Sequence, residues 1–269
     1  MIFNVGPSGL SPYPDFKFTV GSTDYTFDST SQTSSVNNVY YFYRNGTNWE
    51  FYAKTNGTIT FTGSSKIDIF MLGNGSSGGN GYYGISSQYY QSQGYTLYWC
   101  SSLSEGGGGP GGTRKTTSGV VASGAYAITI ASTSSFGSYK SNDTGYTQSG
   151  ASADGGYCFD DENAVGIDGH NYLVGAGGGR GATSWADGDG HGAGSGGTRG
   201  GGSGGTAYGG GGGSYANNGS AGSYWGAGGG GGGAWGNASP STSSSDSAHA
   251  GKGNGAAGYK GFVAMRNAR

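Results

Sequence analysis

The segment WEFYAKTNGTITFTGSSKIDIFMLGNG, which covers residues 49–75, decides the fold of this chain. Apolar or aromatic side chains alternate with polar ones in three runs, at residues 49–53, 58–62 and 66–71. Alternation with a period of two, in short runs rich in aromatic and β-branched residues, predicts half-buried β-strands. Three such runs in close succession therefore predict consecutive strands.

The same pattern continues on the N-terminal side. Phe16–Val20 alternates, and Tyr40–Tyr43 leads into the pair Asn45-Gly46. A second Asn-Gly pair, at residues 56–57, separates two of the runs, and this dipeptide suits the positive φ angles of a type I′ hairpin turn. No segment of eleven residues has the 3.6-residue apolar spacing of a helix. We therefore predict an all-β fold with an antiparallel, β-sandwich-like sheet and long loops.

Two further strand-like runs lie in the second half, at Tyr126–Ile130 and, close to the C-terminus, at Phe262–Met265. A terminal apolar run needs a partner, so we expect it to pair with the first 72 residues or with Tyr126–Ile130. We divide the chain into an N-terminal β-strand region, residues 1–72, with a role in attachment, and a glycine-rich domain, residues 73–269, which closes with a strand at residues 259–266.

Glycine supplies 64 of the 269 residues, whereas an average protein has roughly 7%. Aromatic residues make up 14% of the chain and charged residues 10%. Disordered chains usually show the reverse, with many charged and few aromatic residues. Gly255, Gly258 and Gly261 follow the three-residue period of a polyproline-II helix. We expect the glycine blocks to pack as polyproline- or polyglycine-II helices; flexible loops are the alternative. The blocks lie at residues 106–112, 175–181, 188–205, 209–213 and 228–233.

Composition also argues against several classes of partner. The net charge is −2 and the basic residues are scattered, so nucleic acid is not expected. No apolar run approaches the roughly 18 residues of a membrane span, so membrane insertion is not expected either. Residues 1–7 lack the features of a secretory signal. This pattern favours a protein released by lysis, although a trimmed chain would look the same.

Two acidic segments resemble sites of ionic chemistry. Asp187–His191 alternates carboxylates with glycine, as Ca²⁺ loops do, but it lacks the remaining ligands, and a solvated loop is the simpler interpretation. Asp160, Asp161 and Glu162, with His170 nearby, contain paired carboxylates of the kind that hydrolyse glycosides. Adjacent side chains usually point apart, so we expect no catalytic site. We predict no enzyme activity, no metal and no cofactor.

The two cysteines, Cys100 and Cys158, leave two alternatives open. One disulfide bridge would join them, or both would be free thiols. Their spacing matches no known disulfide or metal-binding pattern.

Aromatic side chains inside the Gly/Ser-rich connections are the stronger functional signal. Tyr, Ser, Gly and Asn are typical of antibody binding loops, because Tyr offers a large amphipathic surface at a low entropic cost. The alternative is that these rings cap the glycine core and replace a missing aliphatic core. The candidate ligand-binding residues are Tyr82, Tyr83, Tyr89, Tyr90, Tyr95, Tyr98, Trp99, Trp185, Tyr224, Trp225 and Trp235.

The order of motifs resembles a known family. After the opening segment come GGGGPGGTRKT from Gly106, YAITIASTSSFGS at residues 126–138 and the closing GYKGFVAMRNAR from Gly258. Over residues 49–269 this is similar to the glycine-rich domain found in tail-fibre and minor tail proteins of phages and prophages of Gram-positive gut bacteria. The architecture is also similar to that of the polyglycine-II tip adhesins of T-even-like phages.

The resemblance implies a tail-fibre or tail-tip protein of the virion that binds a host surface glycan or protein. Other tail proteins would be its neighbours in the virion, and a homotrimer is one possible assembly. A purely structural fibre component is the alternative. The chain departs from the family at residues 82–99, where aromatic residues replace glycine. We therefore expect this segment to lie at an exposed end of the domain and to contact the ligand.

Overall fold

A computed structural model describes residues 10–150, 153–186, 209–210, 212–213 and 216–269. The glycine block at residues 188–205, the acidic loop Asp187–His191 and the aromatic residues Tyr208 and Tyr215 lie outside the described residues.

The described part of the chain is all-β, as the alternating patterns predict. Helical geometry is limited there to three short 3-10 turns, at Cys158–Asp160, Ile167–Gly169 and Asp246–Ala248. The strands are β1 (Phe16–Val20), β2 (Thr23–Phe27), β3 (Ser34–Val36), β4 (Tyr40–Asn45), β5 (Asn48–Ala53), β6 (Gly57–Leu72), β7 (Tyr82–Tyr90), β8 (Tyr95–Ser104), β9 (Arg114–Thr129), β10 (Ser135–Phe136), β11 (Tyr139–Lys140), β12 (Thr183–Ala186), β13 (Ala234–Asn237), β14 (Ala250–Lys252) and β15 (Phe262–Asn267).

The largest sheet has ten strands in the order β11-β10-β9-β6-β15-β5-β4-β3, with β1 paired to β6 and β2 to β1. The closing strand β15 lies between β5 and β6, with Phe262 opposite Leu72. This confirms the prediction that it returns to the first sheet. It begins at Phe262 rather than at residue 259, because the backbone of residues 259–260 bonds to the glycine segments.

The sheet doubles back on itself as a sandwich. β6 and β9 are each 16 residues long, and a register shift between Phe61 and Ser65 divides them. The N-terminal half of β6 pairs with β1, and its C-terminal half pairs with β15. Long strands that bend between layers at a bulge are a known way to join the two sheets of a sandwich.

Aromatic rings fill the space between the two layers. Phe27 of β2 lies 4.8 Å from Phe42 of β4, and Phe16 of β1 lies 5.2 Å from Phe51 of β5, between ring centroids. These side chains occupy every second position of their strands, which explains why the alternating pattern predicts the core. The opposite face of the sheet is covered by residues 158–174 and Trp225, which pack against Tyr52, Phe70 and Phe262.

The glycine segments form an ordered bundle around residues 226–234. The amides of Gly228, Gly231 and Ala234 donate to residues 176, 179 and 182, at 2.8–2.9 Å. The intervening amides of Gly229 and Gly232 donate to residues 76 and 79, and those of Gly230 and Gly233 donate to residues 220 and 217. Donation to three neighbours in strict rotation is the three-residue period of a polyglycine-II helix.

The carbonyl groups of the same central segment accept from three more neighbours. The amides of residues 106, 109 and 112 donate to the carbonyl groups of residues 232, 229 and 226, respectively. The amides of residues 253, 256 and 259 donate to the carbonyl groups of residues 233, 230 and 227. The amides of Gly210 and Gly213 donate to the carbonyl groups of residues 228 and 231. Six segments therefore surround the central one. The expectation of packed polyglycine-II helices is confirmed for the described blocks.

The bundle continues the sheet along its strand direction. Residues 73–81 follow β6, residues 106–112 precede β9 and residues 253–259 precede β15, and these three strands are neighbours in the sheet. At the other end the segments lead into two small sheets, the β7–β8 hairpin and β12–β13–β14. We call these two sheets together the distal tip, residues 82–104, 183–186 and 234–252. The main sheet thus contains strands from both sides of residue 72.

Candidate binding surface at the distal tip

The segment predicted to be an aromatic loop is a β-hairpin. β7 and β8 pair from Tyr82 opposite Ser104 to Tyr90 opposite Tyr95, and Gly94 closes the turn with a φ of 72°. The expectation of long loops is wrong for residues 82–104. Tyr, Ile, Thr and Trp favour strands, and the glycine of the turn adopts a left-handed φ without steric cost.

One face of the hairpin packs on the second small sheet. A Cβ atom on Gly236 of β13 would lie 2.9 Å from Cys100 Cβ and closer still to its sulfur. Tyr98 and Ser241 exchange two backbone hydrogen bonds, of 2.8 and 3.0 Å, and the Tyr98 ring lies 6.5 Å from that of the buried His249. The hairpin is therefore fixed to the rest of the tip.

The other face carries a row of partly exposed apolar side chains. Tyr95, Leu97 and Trp99 occupy alternate positions of β8, and Tyr90 lies opposite Tyr95 with their ring centroids 5.9 Å apart. Leu97 is not among the predicted binding residues, although its position midway between Tyr95 and Trp99 in an alternating run is a sequence signal for it. The row is an apolar strip that no described part of the chain buries.

Exposure is highest at both ends of the hairpin. Tyr82 is 56% exposed and Tyr89 62%, while Tyr90 and Tyr95 are 37% and 38% exposed. Tyr83 is half-buried and faces Lys252, whose ammonium lies 6.0 Å from the ring centroid. Four of the predicted ligand-binding residues on this hairpin are thus open to a partner.

The remaining candidates are divided between the two ends of the bundle. Trp185, which is 44% exposed, and the half-buried Trp235 belong to the distal tip. Tyr224 and Trp225 lie at the end next to the main sheet instead. Trp225 is buried and packs edge-on against Phe262, with 5.8 Å between the centroids. The packing alternative therefore fits Trp225 better than ligand contact.

The acidic residues near the 3-10 turn at Cys158–Asp160 have separate partners. Asp160 accepts a hydrogen bond of 2.6 Å from Thr116 Oγ1. Asp161 accepts one of 2.6 Å from Arg266, which is itself buried. Burial alone would raise the pKa of Asp161, but its hydrogen bonds, led by that from Arg266, hold the pKa below the usual value. His170 stacks on Tyr172 at 5.2 Å.

Both cysteines are free and buried, so the alternative of two thiols is correct. Burial raises the pKa of each thiol, and for Cys158 the nearby Glu50 carboxylate adds to the effect. Within the described ranges, no group of three or more His, Cys, Asp or Glu side chains is placed to hold a metal ion. The same ranges contain no helix with the length and apolar character of a membrane-crossing segment.

Comparison of the chain with protein-family models, curated proteins and solved structures finds no match.

Proposed function

We propose that this chain is a bacteriophage tail-fibre or tail-tip protein that binds the host cell surface through its distal tip. The observation that supports it is the position of Tyr82, Tyr89, Tyr90 and Tyr95. All four are exposed, and all lie on a hairpin at the end of the glycine bundle that is farther from the main sheet. Binding residues commonly collect at the ends of a rigid scaffold.

The chemistry of the tip suits a glycan or a protein surface. A tyrosine ring presents an apolar face and a polar hydroxyl with few rotatable bonds, so it gains contact area at a low entropic cost. Ser86, Ser87 and Gln88 lie between the tyrosines of β7 and supply hydrogen-bonding groups. Such a mixture of rings and short polar side chains recognises surfaces that are partly apolar and partly hydroxylated.

In this proposal the bundle is the stalk that holds the tip. Its central segment bonds to neighbours on six sides, so the tip is carried on a support with satisfied backbone groups. The sandwich at the opposite end, which includes the N-terminal β-strand region, would contact other tail proteins.

A tip variant tests the proposal. Replacing Tyr82, Tyr89, Tyr90 and Tyr95 with Ser removes the exposed rings, and we expect labelled protein to lose binding to an array of bacterial surface glycans and to whole Gram-positive gut bacteria. Replacing Tyr146 and Tyr157 with Ser, two exposed tyrosines outside the tip, is the matched control and should leave binding intact. Retained binding by the tip variant would contradict the proposal.

The same experiment separates the second candidate, a structural fibre component without a ligand. The observation that favours it is that the backbone groups of the central glycine segment already bond to other segments of the same chain. The bundle therefore needs no ligand to be stable. If neither the parent chain nor the control binds any surface, and the tip variant has a lower Tm, the rings serve packing and the structural candidate holds.

A further inference from the structure

A donor-rich surface cavity, largely open to solvent, lies where the main sheet meets the glycine bundle. It measures about 390 Å³ and is lined by Asn38, Lys54, Thr55, Asn56, Asn74, Ile130 and Lys260. Five of these seven residues carry side-chain N–H groups, and none carries a carboxylate. We propose that this cavity binds a small anionic ligand of about monosaccharide size, carrying a carboxylate or a phosphate group.

Of the two lysines, one is already paired with a carboxylate in the described part of the chain and the other is not. Lys54 is buried and is held by a salt bridge to Asp168, whose carboxylate would compete with a ligand for the ammonium group. Lys260 lies with its ammonium 4.9 Å from the ring centroid of Trp225. Among the described residues, no carboxylate forms an ion pair with Lys260. Its charge is therefore available to an incoming anion.

The asparagines are oriented as donors. Asn56 Oδ1 accepts the amide of Ile130 at 2.7 Å, and Asn74 Oδ1 accepts the amide of Gly261 at 2.7 Å. Each of these bonds uses the side-chain oxygen, so the NH₂ group is what each amide can offer to a ligand. Asn38 adds a third amide from a left-handed turn position, with a φ of 58°.

These features together select an anion over a neutral ligand. A buried or half-buried cation next to several N–H donors forms charge-assisted hydrogen bonds with a carboxylate or phosphate, and these are about twice as strong as neutral ones. The volume is near the lower end of ligand pockets, which span roughly 300–1,000 Å³. Ile130 gives one apolar contact, as a sugar ring would use.

The cavity is separate from the distal tip. Asn74 is near the start of the segment 73–81, whose far end enters β7. Eight residues of a polyproline-II-type helix span about 25 Å. The inference therefore goes beyond the proposed function and does not depend on host binding.

Calorimetric titration of the full chain with sodium glucuronate, glucose 6-phosphate and glucose tests the inference. We expect glucuronate, glucose 6-phosphate or both to bind, which identifies the acidic group, and glucose to give no heat. Lys260→Gln should weaken anion binding by at least about tenfold. The matched control is Lys140→Gln, which removes an exposed lysine of β11 outside the cavity and the distal tip and should leave anion binding unchanged.

A second variant distinguishes a loss of anion binding from a loss of folding. Asn56→Asp keeps the oxygen that accepts the amide of Ile130 but replaces the NH₂ donor with a negative charge, so it should weaken anion binding by at least about tenfold at an unchanged Tm. Absence of anion binding at millimolar concentration, equal binding of glucose, or full binding by both variants would overturn the inference.

Discussion

A Cβ atom placed on Gly231 would lie 2.5 Å from the carbonyl carbon of Gly106 and closer still to its oxygen. The amide of Gly231 donates to Gly179 at 2.9 Å, and its carbonyl accepts from Gly213 at 2.8 Å. Backbone from three neighbouring segments thus packs directly against this residue. Because backbone atoms cannot rotate away as side chains do, the bundle needs glycine at this position for reasons of space alone.

Replacing Gly231 with Ala should therefore lower the free energy of unfolding by at least about 2 kcal/mol, in the range of overpacked sites. Gly107→Ala is the matched control, because a Cβ atom there meets nothing within 4 Å. The control should change stability by less than about 1 kcal/mol. Urea denaturation of the two variants measures the difference, and equal stabilities would contradict the tight packing.

Sequence predicts the existence of the bundle but not its arrangement. Low charge and many aromatic residues indicate that the glycine blocks pack, and their three-residue period indicates how. Nothing in the sequence distinguishes Gly228 from Gly231 as a partner for a given neighbour, since neither has a side chain to pattern. The order of the six segments around residues 226–234 depends on where the strands and the distal tip hold their ends.

The ion pair between Asp161 and Arg266 should make stability depend on pH. In the folded chain the pKa of Asp161 is below its ordinary value of 3.8. The contribution of Asp161 to the free energy of unfolding is therefore fully present above pH 3.8, and it is lost as the pH falls through the lowered pKa of the folded chain. Asp161→Asn should cost about 1 kcal/mol at pH 7. The cost should shrink as the pH falls below 3.8 and through the lowered pKa of the folded chain, because the native carboxylate then also becomes protonated.

The matched control for that experiment is the exposed neighbour Glu162, as Glu162→Gln. Thermal unfolding of both variants and the parent chain from pH 7 downwards gives the comparison. A cost of Asp161→Asn that stays constant across the acidic range would show that the carboxylate charge does not contribute.

Both thiols should be unreactive in the folded protein. Cys100 and Cys158 are each only 1% exposed, and burial raises the pKa of both, while the thiolate is the reactive form. We expect 5,5′-dithiobis(2-nitrobenzoate) to label neither cysteine at neutral pH, and both after unfolding in guanidinium. Rapid labelling of one thiol in the folded chain would contradict its burial.

The candidate site was only partly predictable. Aromatic enrichment at residues 82–99 indicated a surface, and four of those tyrosines are exposed. The pairing of β7 with β8 is hard to predict, because the glycine and serine residues next to the tyrosines are also typical of loops. The cavity residues were missed for another reason. Asn56 was interpreted only as part of a turn, and Lys260 lies 204 positions further along the chain, so no local pattern joins them.

Hydrogen exchange of the backbone amides at residues 226–234 tests most directly whether the glycine segments form a hydrogen-bonded bundle. From residue 228 to residue 234 these amides donate to three neighbouring segments, so they should open only when the bundle unfolds. We predict exchange at least about a thousandfold slower than in an unstructured peptide, and comparable with that of the amides at residues 67–72 in β6. Exchange of residues 226–234 at the rate of an unstructured peptide, while β6 remains protected, would contradict the bundle.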